Sequence, residues 1–384
     1  MRVRSFEVRI DEEVLEDLAR RLDATRWPDE VEGAGWDYGT SLPYLQELVT
    51  YWRREFDWRA QERELNRMPQ FLAEVEGLDI HFVHVRGRGP APLPLVISHG
   101  WPSSFCEMRG ILGPLTDPAA HGGDPADAFD VVVPSLPGFA FSAGPRTRGL
   151  PRIDRLWRRL MTEVLGYPRF YAHGVDVGAR VTSAIGRFQH DAAAAIHIGS
   201  VDLEWPDPLP ADDEMTAEER DYVARVREWE RTEGGYAAIQ GTRPQTVTYG
   251  LNDSPAGLAA WIVEKFRAWS DCGGDVESRF SKDELLTTVT LYWVTGSIGS
   301  SMRRYFEARH SPSYGRLPKG ERIAAPAGIA MFPGETQLVV PRSWAERCYD
   351  VRHWTDMPRG GHFAALEEPE LLVEDLRTYF RGFR

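Results

Sequence analysis

The chain has 384 residues, and 45 Lys plus Arg against 58 Asp plus Glu give a net charge of −13 at pH 7. This acidic balance argues against nucleic-acid binding, and 42 % hydrophobic residues with 13 Trp exclude disorder as the main state. The three cysteines form no CxxC pair, which excludes a zinc ribbon or thioredoxin motif. No secretory signal or membrane-length apolar run is visible, so we expect a soluble, cytoplasmic protein without a membrane partner.

Residues 1–90 are predicted to form an N-terminal region that precedes the main domain. Alternating side chains over 6–10 predict a short strand, and the apolar stripe after Asp11, the expected N-cap, predicts a helix. A second helix is predicted over 42–56. Alternation over 78–85 indicates a strand that leads into the main domain.

Residues 91–204 are predicted to form the first part of an α/β core. Apolar runs of strand length, each followed by a glycine turn or a helical pattern, occur at 93–98, 129–134, 170–173 and 194–201. Apolar strands that alternate with helices are typical of a parallel sheet covered on both faces.

This alternation stops over 205–315, which is helical in pattern, charged and aromatic, without a strand of the parallel type. We therefore predict an inserted helical cap. The second part of the core is predicted over 316–384, with strands at 329–333 and 351–354 and a closing helix at 370–380.

Asp176 is the first candidate for catalysis. It is the centre of a Gly-Val-Asp-Val-Gly segment, residues 174–178, between a predicted strand and a predicted helix. This is the pattern of a nucleophile elbow, with Asp in the position usually held by Ser. The helix N-terminus favours an ionised carboxylate there. The alternative interpretation is that Asp176 only caps the helix.

A second loop fits the same architecture. Residues 99–102, His-Gly-Trp-Pro, follow the predicted strand 93–98. In an α/β-hydrolase this loop gives one backbone N–H to the oxyanion hole, and the residue after the nucleophile gives the other. These would be Trp101 and Val177, unless residues 99–102 are an ordinary strand-to-helix turn.

A carboxylate nucleophile needs a histidine that activates water and an acid that orients the histidine. His362 lies in a glycine-rich loop before the last helix, whereas His353 falls within a predicted strand. Two acids could orient His362: Glu335, just after the strand 329–333, and Asp202, after the strand 194–201.

Together these segments resemble the microsomal-type epoxide hydrolases of the α/β-hydrolase superfamily, and the resemblance covers nearly the whole chain. The similar segments lie at 56–59, 65–71, 77–84, 99–102, 134–142, 251–260 and 360–365. The resemblance implies an α/β-hydrolase fold with a mostly parallel central sheet, an N-terminal extension and a cap. It favours Glu335, in the Phe-Pro-Gly-Glu segment 332–335, over Asp202 as the acid. It also implies an epoxide substrate, no cofactor and no metal. Hydrolases of this build often dimerise, so a homodimer is one expectation.

The family further implies two cap tyrosines that polarise the epoxide oxygen, and these match Tyr236 and Tyr292. The chemistry asks for such donors, because the oxygen becomes an alkoxide when the ring opens. Tyr305 is nearby and is interpreted as a core residue.

The elbow departs from the family pattern, since Val175 and Val177 replace a Gly and a Trp. The loss of the Trp side chain at position 177 predicts an enlarged or reshaped pocket that admits a bulky or aryl epoxide. Bacterial relatives act in xenobiotic breakdown or in natural-product biosynthesis, and we take the second role as the working hypothesis.

Two other functions remain as alternatives. A haloalkane dehalogenase shares the Asp nucleophile but commonly uses a Trp N–H after it as halide donor, and Val177 has none. A non-catalytic binding protein would keep the fold without the chemistry. A serine esterase is disfavoured because the elbow has no GxSxG.

Overall fold

The computed structural model describes residues 3–200, 202–335 and 338–384. Its strands, in chain order, are β1 Val3–Phe6, β2 Gln70–Val75, β3 Leu78–Val85, β4 Leu93–Ser98, β5 Phe129–Pro134, β6 Phe170–Gly174, β7 Ala193–Ile198, β8 Trp205–Asp207, β9 Arg316–Pro318, β10 Ile323–Met331 and β11 Tyr349–Asp356. The predicted strand 194–201 is thus observed as β7, and Val201 lies outside the described residues.

The helices surround this framework. They are α1 Glu12–Asp23, α2 Leu42–Arg54, α3 Trp58–Leu65, α4 Arg109–Thr116, α5 Ile153–Arg159, α6 Val177–Phe188, α7 Ala217–Thr232, α8 Gly235–Thr242, α9 Pro244–Leu251, α10 Pro255–Trp269, α11 Lys282–Thr295, α12 Ile298–Arg309, α13 Arg342–Cys348, α14 Ala364–Glu367 and α15 Pro369–Phe380. Within the described ranges, no helix combines the length and the apolar character that crossing a membrane requires.

The central sheet has the strand order β1-β2-β3-β5-β4-β6-β7-β10-β11. All pairs from β5 to β11 in this order are parallel, whereas β1, β2 and β3 add to one edge antiparallel. In β4, Leu95 and Ile97 point into one apolar cluster and Val96 into the other, so both faces of the sheet are covered. The predicted mostly parallel α/β-hydrolase sheet is confirmed.

The first strand differs from its prediction at 6–10. β1 ends at Phe6, and beyond it the backbone N–H groups of Val8 and Ile10 donate to the side chains of Asn66 and Glu62. The alternation therefore reflects side chains such as Val8 that are buried against α3. The backbone N–H groups here bond to side chains and not to a neighbouring strand. Asp11 stands at the N-cap of α1 but makes no side-chain capping hydrogen bond.

The cap prediction was wrong about strands. β8 begins at Trp205 and pairs in parallel with β9, so the two ends of the cap are joined by a small two-stranded sheet. Strands of three residues with prolines give no periodic signal. Trp205 packs edge-on against Trp344 of the core at 5.0 Å between ring centroids, and this contact seats the pair. β10 is also longer than predicted, since it starts at Ile323 in a segment broken by Pro326.

The N-terminal region fastens the cap from the outside. The guanidinium of Arg21 donates to the Asp253 carboxylate at 2.6 Å, and the hydroxyl of Thr40 donates to the carbonyl of Ala260 at 2.8 Å. Tyr51 donates to Asp283 at 2.9 Å. Three segments of the N-terminal region, α1, the turn at Thr40 and α2, therefore hold the cap.

Candidate active site

Asp176 lies at a strained turn between β6 and α6. Its φ is +49° and its ψ is −122°, a conformation that is uncommon for a residue with a side chain. A Cβ built on Gly178 would lie 2.0 Å from the carbonyl oxygen of Ser98, and one on Gly174 would lie 2.2 Å from that of Gly178. The glycines are therefore needed for the close approach of strand and helix, and the positive φ falls on Asp176 rather than on either valine.

Backbone donors hold the Asp176 carboxylate. The N–H of Trp101 donates to Oδ1 at 2.7 Å, and the N–H of Val177 also hydrogen bonds to the carboxylate, which lowers its pKa. The loop can come this close because a Cβ at Gly100 would lie 2.4 Å from the Asp176 Cβ. The predicted oxyanion residues thus surround the carboxylate, and the same donors suit an oxyanion formed on it.

The predicted histidine and acid meet next to this carboxylate. Nδ1 of His362 lies 2.6 Å from Oε1 of Glu335, and Nε2 lies 3.7 Å from Oδ2 of Asp176. The alternative acid, Asp202, has a side chain that is 37 % exposed and lies 3.7 Å from Arg180. No described hydrogen bond or ion pair joins Asp202 to His362, so Glu335 is the partner of the histidine.

The three groups are coupled electrostatically. Burial raises the pKa of Asp176 and the charge of Asp202 adds to this, while His362 and the two backbone donors lower it. Burial lowers the pKa of His362, but Glu335 and the negative charge of Asp176 outweigh it and raise the pKa overall. The raised pKa of His362 favours an imidazolium, which attracts the Asp176 carboxylate beside it.

Two cap tyrosines stand over the oxyanion loop, and they are Tyr236 and Tyr305. The ring of Tyr236 stacks on Trp101 with centroids 5.4 Å apart and planes 4° apart. Tyr305 packs edge-on against Trp101 at 5.7 Å and against Tyr236 at 6.0 Å, and a hydrogen bond from Tyr305 lowers the pKa of Tyr236. Burial and the charge of Asp176 still raise both pKa values well above the usual range, so both hydroxyls stay protonated donors.

Tyr292 does not join this pair, contrary to the sequence prediction. Its hydroxyl donates to the carbonyl oxygen of Ser103 at 2.9 Å, and its described ring contact is with Phe139 rather than with Trp101. The sequence prediction assigned Tyr305 to the core. Tyr292 and Tyr305 both lie in helical segments of the cap, and the sequence alone does not show which of them faces the site. Helical spacing could have indicated the position of Tyr305. Ile298, Ser301 and Met302 form the buried face of α12, and Tyr305 falls on the same face at this spacing.

An aromatic wall encloses the reacting groups, and we define it as Trp101, Tyr236, Trp269 and Tyr305. Trp269 lies 5.1 Å from Tyr236 and 4.9 Å from the His362 ring, measured between centroids. Its carbonyl oxygen also accepts the backbone N–H of His362 at 2.8 Å. Across the described ranges, no three His, Cys, Asp or Glu side chains are grouped so that they could hold a metal ion.

This sheet, with a carboxylate at its elbow, a His–Glu pair beside that carboxylate and a helical cap above, defines an α/β-hydrolase. The family model of the epoxide hydrolase N terminus matches residues 3–108. Epoxide hydrolase 1 of Oryctolagus cuniculus is 35 % identical, over 97 % of this chain and 88 % of its own length. Juvenile hormone epoxide hydrolase 1 of Ctenocephalides felis is 33 % identical, over 100 % and 86 %.

The solved structure of the Aspergillus niger epoxide hydrolase superposes with a TM-score of 0.86 at 31 % identity, over 100 % of this chain and 97 % of that one. The chain belongs to the epoxide hydrolase family, and the predicted enzyme class is confirmed.

Proposed function

We propose that this epoxide hydrolase forms a covalent ester between Asp176 and an epoxide carbon, and then hydrolyses the ester to a vicinal diol. The observation behind this proposal is the position of one carboxylate, which touches the oxyanion N–H of Trp101 on one side and faces His362 on the other. The Trp101 N–H can stabilise negative charge on Oδ1 when the ester is attacked. His362 can act as the base that activates water for hydrolysis of the ester.

In the first step Oδ2 of Asp176 attacks an epoxide carbon, and the C–O bond to the epoxide oxygen breaks. Oδ1, which already accepts the Trp101 N–H, becomes the carbonyl oxygen of the ester. The departing oxygen gains negative charge, and the protonated hydroxyls of Tyr236 and Tyr305 stabilise it by donating hydrogen bonds. Tyr292 holds the oxyanion loop through Ser103 and takes no part in this proton donation.

Ester formation itself prepares the second step. The negative charge of Asp176 raises the pKa of His362, and esterification removes that charge. The imidazolium then gives up its Nε2 proton more readily. This proton passes to the alkoxide oxygen, and the neutral imidazole can act as a base, with Glu335 holding Nδ1.

His362 takes a proton from water at Nε2, and the water oxygen attacks Cγ of the ester. The Trp101 and Val177 N–H groups hold the oxyanion. The bond from Cγ to the alkyl oxygen then breaks, and the diol leaves with the proton from Nε2. The proton left on the Asp176 carboxyl group passes to Nε2, which restores the carboxylate and the imidazolium.

We further propose a bulky or aryl epoxide as the substrate. The aromatic wall offers flat apolar faces on which an aryl ring can stack. Val177 leaves space where an elbow Trp would stand. The role in natural-product biosynthesis, the cytoplasmic location and the homodimer stay predictions.

A single-turnover experiment in H₂¹⁸O tests the covalent mechanism, with enzyme in excess over styrene oxide. The expected diol from the first turnover is unlabelled, because its new oxygen comes from Asp176, and the label enters the protein. Label in the first-turnover diol would mean direct attack by water and would overturn the ester mechanism. Halide release from a haloalkane, with no diol from the epoxide, would instead support the dehalogenase alternative.

A further inference from the structure

Glu107 is a buried carboxyl group that the mechanism above does not use. It lies in the single helical turn Phe105–Met108, directly after the oxyanion loop, and is only 3 % exposed. Its Oε1 is fully enclosed and has no hydrogen-bond partner among the described residues, although the Ser103 hydroxyl hydrogen bonds to the same carboxyl group. Since buried polar atoms are nearly always paired, this oxygen needs an explanation.

Other buried glutamates of the chain show what a structural carboxylate looks like here. Glu62 accepts from the Trp58 indole at 2.8 Å, and Glu219 pairs with Arg347 at 2.8 Å. Glu367 accepts the backbone N–H groups of Asp271 and Phe363. Each of them is held by named donors. Glu107 therefore differs from them in having an acceptor atom to spare.

The surroundings place Glu107 beside the reacting groups. The turn that carries it packs against α14, which begins two residues after His362. Burial raises the pKa of Glu107 to about 7; the Ser103 hydroxyl and the charge of His362 lower it, and the charges of Asp176 and Glu367 raise it. Glu107 in turn raises the pKa of Tyr292. The charges of Asp176 and His362 thus act on the Glu107 carboxyl group, which follows the oxyanion loop directly in the chain.

We propose that Glu107 binds the hydrolytic water through Oε1 and positions it for attack on the ester, an inference that rests on the proposed function. A buried water makes about three hydrogen bonds, and Nε2 of His362 provides only one of them. With one O–H directed to Nε2 and the other to Oε1, a lone pair of the water is left for Cγ of Asp176. The water proton goes to Nε2 and the new bond forms at Cγ, so Glu107 neither gains nor loses a proton.

The test separates the two half-reactions by single-turnover kinetics with styrene oxide in Glu107→Met and Glu107→Gln. Met fills the space but accepts no hydrogen bond, so we expect ester hydrolysis to fall on the order of 10–100-fold, the usual cost of a misplaced reactant. Gln keeps an acceptor oxygen and should lose several-fold less than Met. Ester formation should stay within about twofold of wild type in both variants, because water enters only afterwards.

Cys106→Ala is the matched control, since Cys106 sits on the same turn but packs into an apolar cluster. It should leave both rate constants near wild type. Wild-type hydrolysis in either Glu107 variant, equal losses in Gln and Met, or parallel losses in ester formation and hydrolysis would each overturn the assignment. Absence of any ester in the wild-type enzyme would instead count against the proposed function.

Discussion

The site has a lower half built by the core and an upper half built by the cap, and the two are specified in different ways. In the core half, backbone geometry fixes the position of the reacting atoms. Gly174, Gly178 and Gly100 permit contacts that a Cβ would prevent, and the N–H of Trp101 meets the carboxylate at 2.7 Å. In the cap half, Tyr236 and Tyr305 are placed by ring packing against Trp101.

This difference predicts how each half responds to substitution. A change at Asp176 or His362 in the core half removes a bond-forming or proton-transferring atom, so the loss should be large, whereas a change at Glu335 only weakens the support of His362. A change in the cap half removes one of two donors to the same oxygen, so the partner can compensate in part.

The largest expected effect is that of Asp176→Asn in the core half. An amide does not displace the epoxide C–O bond, so turnover should fall on the order of 10⁴-fold or more, as when other covalent nucleophiles are removed. Diol formation under single-turnover conditions measures this. Intact-mass analysis must exclude deamidation back to Asp. Rates near wild type in verified Asn protein would show that Asp176 is only a helix cap.

His362→Gln should separate the two steps within the core half. Ester hydrolysis should fall on the order of 10³-fold without the general base, while ester formation continues. The protein should therefore gain the mass of one substrate, and a peptide digest should locate that mass on Asp176. A variant that binds substrate but gains no mass would contradict the role of His362.

The cap half is tested by three phenylalanine substitutions. Tyr236→Phe and Tyr305→Phe should each slow ester formation by up to 10²–10³-fold, or about 2.7–4 kcal/mol, with less loss if the partner compensates. Tyr292→Phe is the matched control, and it should slow ester formation less. Stopped-flow measurement of ester formation gives the ranking. A larger loss in Tyr292→Phe than in Tyr305→Phe would restore the pair expected from the sequence.

The smallest effect is expected for the acid behind the histidine. Glu335→Gln removes the charge that orients and stabilises the imidazolium, so ester hydrolysis should fall on the order of 10–100-fold. Asp202→Asn should change it little, because Asp202 makes no described contact with His362. Single-turnover decay of the ester compares the two. The reverse ranking would move the acid to the loop after β7.

The same contrast explains what the sequence could predict. Asp176, Trp101 and His362 each sit in a short glycine-containing motif that by itself dictates a tight turn, so sequence reasoning located them. Tyr305 depends on the angle between α11 and α12, which is set by packing and by the turn at Gly296, where φ is +59°. Glu107 has no motif of its own, and only its missing partner, seen in three dimensions, singles it out.

The contacts of Arg21, Thr40 and Tyr51 with the cap bear on how substrate enters and product leaves the site. Together with the β8–β9 pair, it opposes a hinge motion that would lift the cap as one body. With the cap held in this way, we expect a substrate to enter, and a diol to leave, through openings made by side chains and loops, which fluctuate faster than domains do. Entry should then depend on the width of the epoxide, so the widest epoxides should be excluded before they reach the tyrosines.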